Sequence, residues 1–335
     1  MNNFIFSLNA TLPVFLVIMI GFGLRRIGLL TEEFARVGDR LVFRVALPVM
    51  LFVEIASVDW EDSFDLKFFL FCAATACVSF AAIYGLAWLL LKDRSMIGTY
   101  SMVSFRGSAA VLGIAFVTNI YGSAGFAPLM IVAVVPFYNI FSVLALAISA
   151  KPAEEVSEDP ADAAEDGETA KTAAAFSAKK VLLEVITNPL IVAVVLAIPA
   201  ALLHLPAKSW LTIPFKCLTS IGNMATPLAL LVLGAGFEHR EAIAKIRPVL
   251  MASLTKLVLL PAVFVPAAVW MGFRDAQLLA IAVMLASPTT VACYIMAKNM
   301  RNDATLASGT VLFTTLFSSV TITAMVYILR TAGLI

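Results

Sequence analysis

The chain has 335 residues, of which 61% are hydrophobic and 13% are charged, and its net charge is +1. Soluble globular domains carry about 25% charged residues, so this composition argues against a water-soluble protein. The sequence holds no basic stripe interleaved with aromatic residues, and we expect no nucleic-acid partner. The first apolar run continues to Leu24 without a preceding basic segment, so we expect it to be retained as a helix rather than cleaved.

Apolar runs of membrane-spanning length follow one another along the chain. A helix that crosses a bilayer needs roughly 20 predominantly apolar residues. Ten runs near this length predict an all-α membrane protein with ten transmembrane helices, embedded in the lipid bilayer. The predicted spans cover residues 4–24, 36–56, 66–91, 97–120, 125–150, 181–204, 210–236, 248–272, 275–298 and 303–329.

One long polar segment, residues 151–180, separates the fifth span from the sixth. It carries many Glu and Asp residues among alanines, and such a composition buries too little apolar surface to fold. We interpret it as a disordered acidic linker, with a regulatory segment as the alternative. It divides the chain into two five-helix units, residues 1–150 and 181–335.

Lysine and arginine predict the orientation in the membrane, because cytoplasmic loops are enriched in both residues. Fifteen of the 23 cationic residues lie in one set of alternate loops, and five lie in the opposite set. This bias predicts an integral protein of the plasma (cytoplasmic, or inner) membrane. Both termini are expected outside, with the linker 151–180 in the cytoplasm.

Short motifs that recur at nearly constant spacing indicate an internal repeat. They are Thr11-Leu12-Pro13 with Thr187-Asn188-Pro189, Pro48 with Pro227, and Asn119 with Asn299, at offsets of 176, 179 and 180 residues. Each unit has an odd number of spans, so the second unit enters the membrane from the opposite face. The sequence therefore predicts two inverted five-helix repeats, as in one large class of secondary transporters.

Span four contains a run of small residues bracketed by Gly107 and Gly113, so its backbone can unwind at low cost. Transporters with inverted repeats bind their substrate where paired helices break near the bilayer midplane. Arg106 and Ser108 beside the first glycine are therefore candidate binding residues, together with both glycines. Arg106 has an alternative interpretation, in which its side chain extends to the cytoplasmic face.

Span nine contains the matching interruption. Pro288 removes a helix hydrogen bond and frees the carbonyl of the residue four positions earlier. Ser287, Thr289 and Thr290 supply hydroxyls for the freed backbone groups or for a ligand. We predict that spans four and nine are broken helices that cross at the binding site, with a simple proline kink as the alternative for span nine.

Charged residues inside the predicted spans are mostly positive. Arg44 and Lys256 join Arg106 within apolar stretches, whereas the clearest carboxylate, Glu54, lies near an outer end. This balance and the positive N-terminal ends of half-helices favour an organic anion as the substrate over a metal cation. The alternative is that Arg44 and Lys256 only pair with carboxylates or cap backbone carbonyls.

The sequence holds no constellation typical of an enzyme. His204 and His239 belong to no metal-ligand motif, and no phosphate-binding glycine loop points to ATP. The four cysteines lie inside apolar segments and are interpreted as packing residues. We therefore expect no enzyme activity, no metal site and no cofactor, while coupling of transport to sodium or protons stays open.

Five motifs resemble the auxin efflux carrier family, which includes plant auxin exporters and bacterial carriers such as malonate permeases, within the bile acid/auxin transporter superfamily. The resemblance extends over essentially the whole chain. The motifs are residues 41–48 with Arg44 and Pro48, 105–107 with 112–113, 135–139 with Tyr138 and Asn139, 227–230 with Pro227 and Gly234, and 286–289 followed by Tyr294, Ala297 and Asp303.

The resemblance implies an architecture and a mechanism. Spans one, two, six and seven would form a scaffold, and the other spans a transport domain that moves like an elevator. Two copies would form a homodimer through the scaffold. The motifs add Tyr138, Asn139 and Tyr294 to the candidate substrate-binding residues. Candidate helix-break and scaffold residues are Arg44, Pro48 and Pro227.

The chain departs from the family pattern at Ala115, where proline is common, and at Ser108, where asparagine is common. The break in span four must then rely on glycine. Taken together, the sequence predicts a secondary transporter of elevator type for a small organic anion, favouring a carboxylate. The alternatives are an uncoupled channel or uniporter, and a membrane sensor that binds a ligand without moving it.

Overall fold

In the computed structural model, which describes residues 2–57, 64–122, 125–150, 186–237 and 244–335, the described chain is helical and holds no strand. The predicted linker 151–180 lies outside these residues. The α-helices are α1 (Asn2–Arg26), α2 (Glu32–Leu41), α3 (Leu47–Ala56), α4 (Leu66–Leu90), α5 (Ile97–Phe105), α6 (Ala109–Tyr121), α7 (Ala127–Ser149), α8 (Pro189–Leu202), α9 (Thr212–Asn223), α10 (Ala225–Ala235), α11 (Ile246–Leu254), α12 (Leu260–Trp270), α13 (Asp275–Ala286), α14 (Ala292–Asn299) and α15 (Ala304–Thr331).

Some neighbouring helices continue one another. A π-helical turn, Val42–Ala46, joins α2 to α3, and a second π-helical turn, Thr255–Leu259, joins α11 to α12. Only Met224 separates α9 from α10. Such π-helical turns widen a helix locally and frequently occur at functional sites.

Five helical segments of the described chain are long and apolar enough to cross a membrane: Leu66–Leu90, Ala127–Ser149, Ser209–Ala235, Ile246–Trp270 and Ala304–Thr331. Two shorter apolar helices, α8 and α13, accompany them. This helical, apolar architecture supports an integral membrane protein of the all-α class.

Capping side chains explain where several helices begin. Thr31 and Asp65 accept hydrogen bonds from the backbone amides three residues ahead, at 3.1 and 3.0 Å, and so start α2 and α4. Asp303 starts α15 in the same way, at 2.9 Å to the amide of Leu306. Each cap satisfies an amide that has no partner within its own helix.

We describe the helices as two groups, which are themselves in extensive contact with each other. In the first group, α1 lies against α10, while α3 lies against α8 and α9. In the second group, α7 packs against α4 and α5, α15 packs against α11 and α14, and α6 packs against α13. The groups meet along several contacts, of which the one between α1 and α15 is the most extensive.

Polar side chains lie inside the bundle and large apolar side chains lie on its outer surface. Thr310 and Thr314 of α15 are fully buried, and each hydroxyl donates to a carbonyl one turn earlier, at 2.8 and 2.7 Å. Trp270 and Ile213 expose 89% and 81% of their surface. An apolar exterior with internally satisfied polar groups suits a lipid surrounding.

Candidate functional site

Predicted spans four and nine are both interrupted, and the two interruptions are in contact. α5 ends at Phe105 and α6 begins at Ala109, while α13 ends at Ala286 and α14 begins at Ala292. The amide of Ser108 donates to the carbonyl of Pro288 at 2.8 Å, beside an antiparallel bridge between residues 107 and 289. The backbone groups freed by each interruption therefore partly satisfy those of the other.

The interruption in span four is shorter than the sequence suggested. The two bracketing glycines predicted unwinding across residues 107–113, but α6 begins at Ala109 and Gly113 lies within it. From Ala109 onward the backbone returns to helical hydrogen bonding. The interruption thus covers Arg106, Gly107 and Ser108 alone.

Hydroxyl groups provide hydrogen bonds to the backbone groups at the interruption in span nine. The hydroxyl of Thr289 donates to the carbonyl of Val103 at 2.7 Å, and its amide donates to the hydroxyl of Thr314 at 3.0 Å. The hydroxyl of Ser287 donates to the carbonyl of Met284 at 3.2 Å, which is the acceptor that Pro288 leaves free. This is a break of the helix rather than a simple kink.

Lys256 lies directly behind this crossing. It projects from the π-helical turn Thr255–Leu259 and is fully buried. Its ammonium donates to the carbonyls of Leu285 at 2.9 Å, Phe105 at 3.3 Å and Met284 at 3.5 Å. These contacts agree with the alternative in which Lys256 caps backbone carbonyls. Lys256 does not line the cavity described next.

In front of the crossing lies a cavity of about 130 Å³. A single water molecule needs roughly 10–15 Å³ on the same measure, so the cavity has room for a small organic molecule. Its walls are mostly apolar with a few polar groups, as is usual for ligand sites. Eight of the predicted binding residues line it: Arg106, Gly107, Ser108, Tyr138, Asn139, Pro288, Thr289 and Thr290.

Arg106 is the cationic residue in the cavity wall, and only 6% of its surface is exposed. Its guanidinium donates to the hydroxyl of Ser142 at 3.5 Å and to the thioether sulfur of Met296 at 3.2 Å. A distance of 3.5 Å is long for a hydrogen bond, and a thioether is a weak acceptor. The guanidinium carries five N–H donors, so these two contacts satisfy it poorly. None of the described carboxylates forms an ion pair with it. The side chain is thus buried at the cavity rather than extended to the cytoplasmic face.

Two residues of α7 add polar groups to the wall. Asn139 is fully buried, and its side-chain amide donates to the carbonyl of Val135 at 2.9 Å. The side-chain oxygen of Asn139 has no hydrogen-bond partner in the described protein. Tyr138 packs edge-on against Phe105, with ring centroids 5.3 Å apart. An unpaired buried acceptor is costly, which favours a ligand or water that donates to Asn139.

Several predicted residues do not line this cavity. Ser287 is buried beside Gly107, within the crossing itself. Tyr294 lies near Lys298, whose ammonium donates to its hydroxyl at 3.2 Å. Arg44 is exposed beside a separate pocket. The remaining positions are Gly113 in α6, Pro48 near the start of α3 and Pro227 in α10.

Sequence reasoning missed three polar contributions from outside the crossing, Glu54, Thr226 and Thr315. Glu54 lies near the end of α3, as the sequence indicated, and it lines the same cavity as Arg106. Thr315 of α15 also lines the cavity. A carboxylate in an apolar run is itself a signal of function. The depth of Glu54 depends on how α3 packs, which the linear sequence does not contain.

Comparison with known proteins identifies a family. A family model described as membrane transport protein matches residues 6–326, which is nearly the whole chain. A search of curated proteins found no match.

Proposed function

Because the chain belongs to the membrane transport protein family, also known as the auxin efflux carrier family, we propose that it is a secondary transporter for a small organic anion, most suitably a carboxylate. The family is one of membrane transporters rather than enzymes. The proposed substrate class and mechanism depend on the cavity at the helix crossing.

The observation that carries the proposal is the environment of Arg106. A buried guanidinium is expensive unless it is paired or hydrogen-bonded. At the cavity wall its described partners are a hydroxyl and a thioether. The carboxylate of Glu54 lies in the same cavity and attracts the guanidinium without forming an ion pair with it. A substrate carboxylate in direct contact would supply the missing acceptors, because the planar guanidinium can bind one in a bidentate manner.

The helix ends also favour a negatively charged substrate. Ser108 and Val291, which directly precede α6 and α14, both line the cavity. Helix N-termini carry about half a positive charge and attract anions. The C-terminal ends of α5 and α13 instead meet Lys256 behind the crossing. The crossing therefore presents its positive helix ends to the cavity.

We place this cavity in a protein of two inverted five-helix repeats with ten spans. If span one corresponds to span six and span two to span seven, the packing of α1 on α10 must be matched by packing of α8 on α3. Both contacts are present and extensive. The pair α4 with α7 and the pair α11 with α15 correspond in the same way, which supports the repeat.

The proposed mechanism is alternating access of elevator type. The first packing group, with α1, α3, α8, α9 and α10, would be the scaffold and the site of a homodimer contact. The second group carries the crossing and would move relative to the scaffold. Following the loop charges, we place the protein in the cytoplasmic membrane with both termini outside.

The binding test uses purified full-length protein. A thermal-shift screen of short dicarboxylates and aromatic acids identifies the acid that stabilises most, and uptake of that acid is then measured in proteoliposomes. Arg106→Gln should weaken affinity at least tenfold, which corresponds to about 1.4 kcal/mol. The affinity of Arg106→Lys should lie between those of the wild type and Arg106→Gln, because an ammonium keeps the charge but loses the fork geometry.

The matched control is Arg330→Gln, which removes an exposed arginine at the end of α15 and should leave affinity unchanged. Equal affinity in Arg106→Gln and the wild type would remove Arg106 from the binding site. Stabilisation by amines instead of acids would contradict the anion class. Faster uptake when unlabelled acid is present on the opposite side would distinguish a carrier from a channel.

A further inference from the structure

We propose that the Lys256 ammonium is the fixed cation of the helix crossing, so that no sodium ion is needed at this position during transport. The inference deepens the proposed function and depends on it for the uptake measurements. It concerns the side of the crossing that faces away from the substrate cavity.

Lys256 holds the C-terminal ends of two half-helices at once. Its ammonium donates to the carbonyl of Phe105, the last residue of α5, and to carbonyls of Met284 and Leu285 near the end of α13. An ammonium has three donors, and three carbonyl acceptors surround it. Phe105 and Leu285 are far from Lys256 in sequence, by 151 and 29 residues, so the contact exists only in the folded crossing.

The charges balance at this point. Each helix C-terminus carries about half a negative charge from its unpaired carbonyls. Two such ends together match the single positive charge of one ammonium. In transporters with inverted repeats, unwound carbonyls and half-helix C-termini commonly coordinate a sodium ion or a proton. Here the same kind of acceptor set is occupied by a side chain of the protein.

The ammonium is enclosed within the crossing. Lys256 is fully buried, and no described carboxylate forms an ion pair with it. A Cβ atom on Gly107 would lie 2.8 Å from the Lys256 nitrogen and would overlap the hydroxyl of Ser287. Glycine at position 107 therefore leaves the space that the ammonium occupies.

The wild-type protein gives the first test. Uptake of the screened acid into proteoliposomes is measured in sodium, potassium and choline chloride at equal ionic strength, and the thermal midpoint is measured in the same salts without any acid. Equal uptake and equal midpoints in the three salts are expected. An absolute requirement of uptake for sodium would overturn the proposal.

Removal of the ammonium gives the second test. Lys256→Ala leaves the carbonyls without their donor and opens space beside them, so its midpoint in choline chloride should fall by at least about 4 °C. Sodium, lithium or methylammonium should then raise the midpoint with rising concentration, because an ion that binds only the folded state stabilises it. Choline is bulkier than the end of the lysine side chain that the substitution removes, so we expect it not to enter the space.

Two further variants serve as comparisons. Lys216→Ala removes an exposed lysine of α9. Its thermal midpoint should neither fall in choline chloride nor rise with added sodium, lithium or methylammonium. Lys256→Arg keeps the charge and should remain insensitive to the choice of cation. The proposal would be contradicted if the thermal midpoint of Lys256→Ala did not change with any small cation.

The outcome is separable from that of the proposed function. The midpoint measurements contain no substrate, so they test Lys256 even if every screened acid fails to bind. If Lys256→Ala does not insert into the membrane, the wild-type comparison between salts decides alone. Conversely, loss of anion affinity in Arg106→Gln says nothing about the cation at Lys256.

Discussion

The two helix breaks meet at one crossing, yet they are built from different residues. The break between α5 and α6 is three residues long and depends on the missing side chain of Gly107. The break between α13 and α14 contains Pro288, and the hydroxyls of Ser287 and Thr289 replace helical hydrogen bonds. The first break contributes the charge of Arg106 to the cavity, and the second contributes hydroxyls.

This difference shows that two breaks that meet at one crossing need not be built from the same chemistry. A break requires partners for the freed carbonyls and amides. The two breaks share two of these partners, the bridge from Ser108 to Pro288 and the ammonium of Lys256. Because the partners are shared, a substitution in one break should also disturb the other.

The largest effect is expected at Gly107. Gly107→Ala places a Cβ against the hydroxyl of Ser287 and the ammonium of Lys256. Overpacking of this kind costs about 1–3 kcal/mol, and separation of the two breaks should abolish uptake, as should Gly107→Leu. Uptake and thermal stability are measured side by side.

Gly85→Ala is the matched control for this substitution, because a Cβ at Gly85 of α4 meets nothing within 4 Å. Wild-type uptake in Gly107→Ala would mean that the close approach at the crossing is dispensable. The first break would then not depend on glycine as described above.

The next largest effect is expected for Thr289→Val. The substitution keeps the side-chain volume but leaves the carbonyl of Val103 without its donor in a buried place. An unsatisfied buried acceptor costs about 1–3 kcal/mol. We expect a lower unfolding midpoint and reduced uptake, both recovered by Thr289→Ser.

Thr331→Val is the control for a hydroxyl bonded within its own helix. Thr331 is exposed and donates to the carbonyl of Tyr327 at 2.8 Å, so its loss should change stability little. If Thr289→Val matched that control, the hydroxyls would not support the second break.

The smallest effect is expected for Pro288→Ala. From the sequence alone, removal of an interior proline predicts a straightened helix and a gain of up to about 3 kcal/mol. In the structure, Pro288 lies outside both α13 and α14, and its carbonyl accepts from Ser108. The carbonyl of Met284 is already engaged by Ser287 and Lys256. We therefore expect a modest loss of turnover and no gain in thermal stability, whereas a clear gain would show that proline alone maintains the break.

The sequence by itself determined the helical membrane class and the family. Apolar runs mark helices because each span must be apolar along its own length, and this property is local. The glycine and proline of the two breaks could also be identified from the sequence, since each residue acts on its own backbone. The family match over residues 6–326 agrees with the resemblance seen in the motifs.

Only the tertiary structure decided how these parts combine. It brings Glu54 of α3 to the cavity of Arg106 and turns Lys256 away from that cavity, toward two helix ends. It also limits the first break to residues 106–108, of which Gly107 and Ser108 contact span nine through the bridge and a hydrogen bond. Each outcome depends on contacts between residues far apart in the chain, and the periodicity of a single helix carries no information about such contacts.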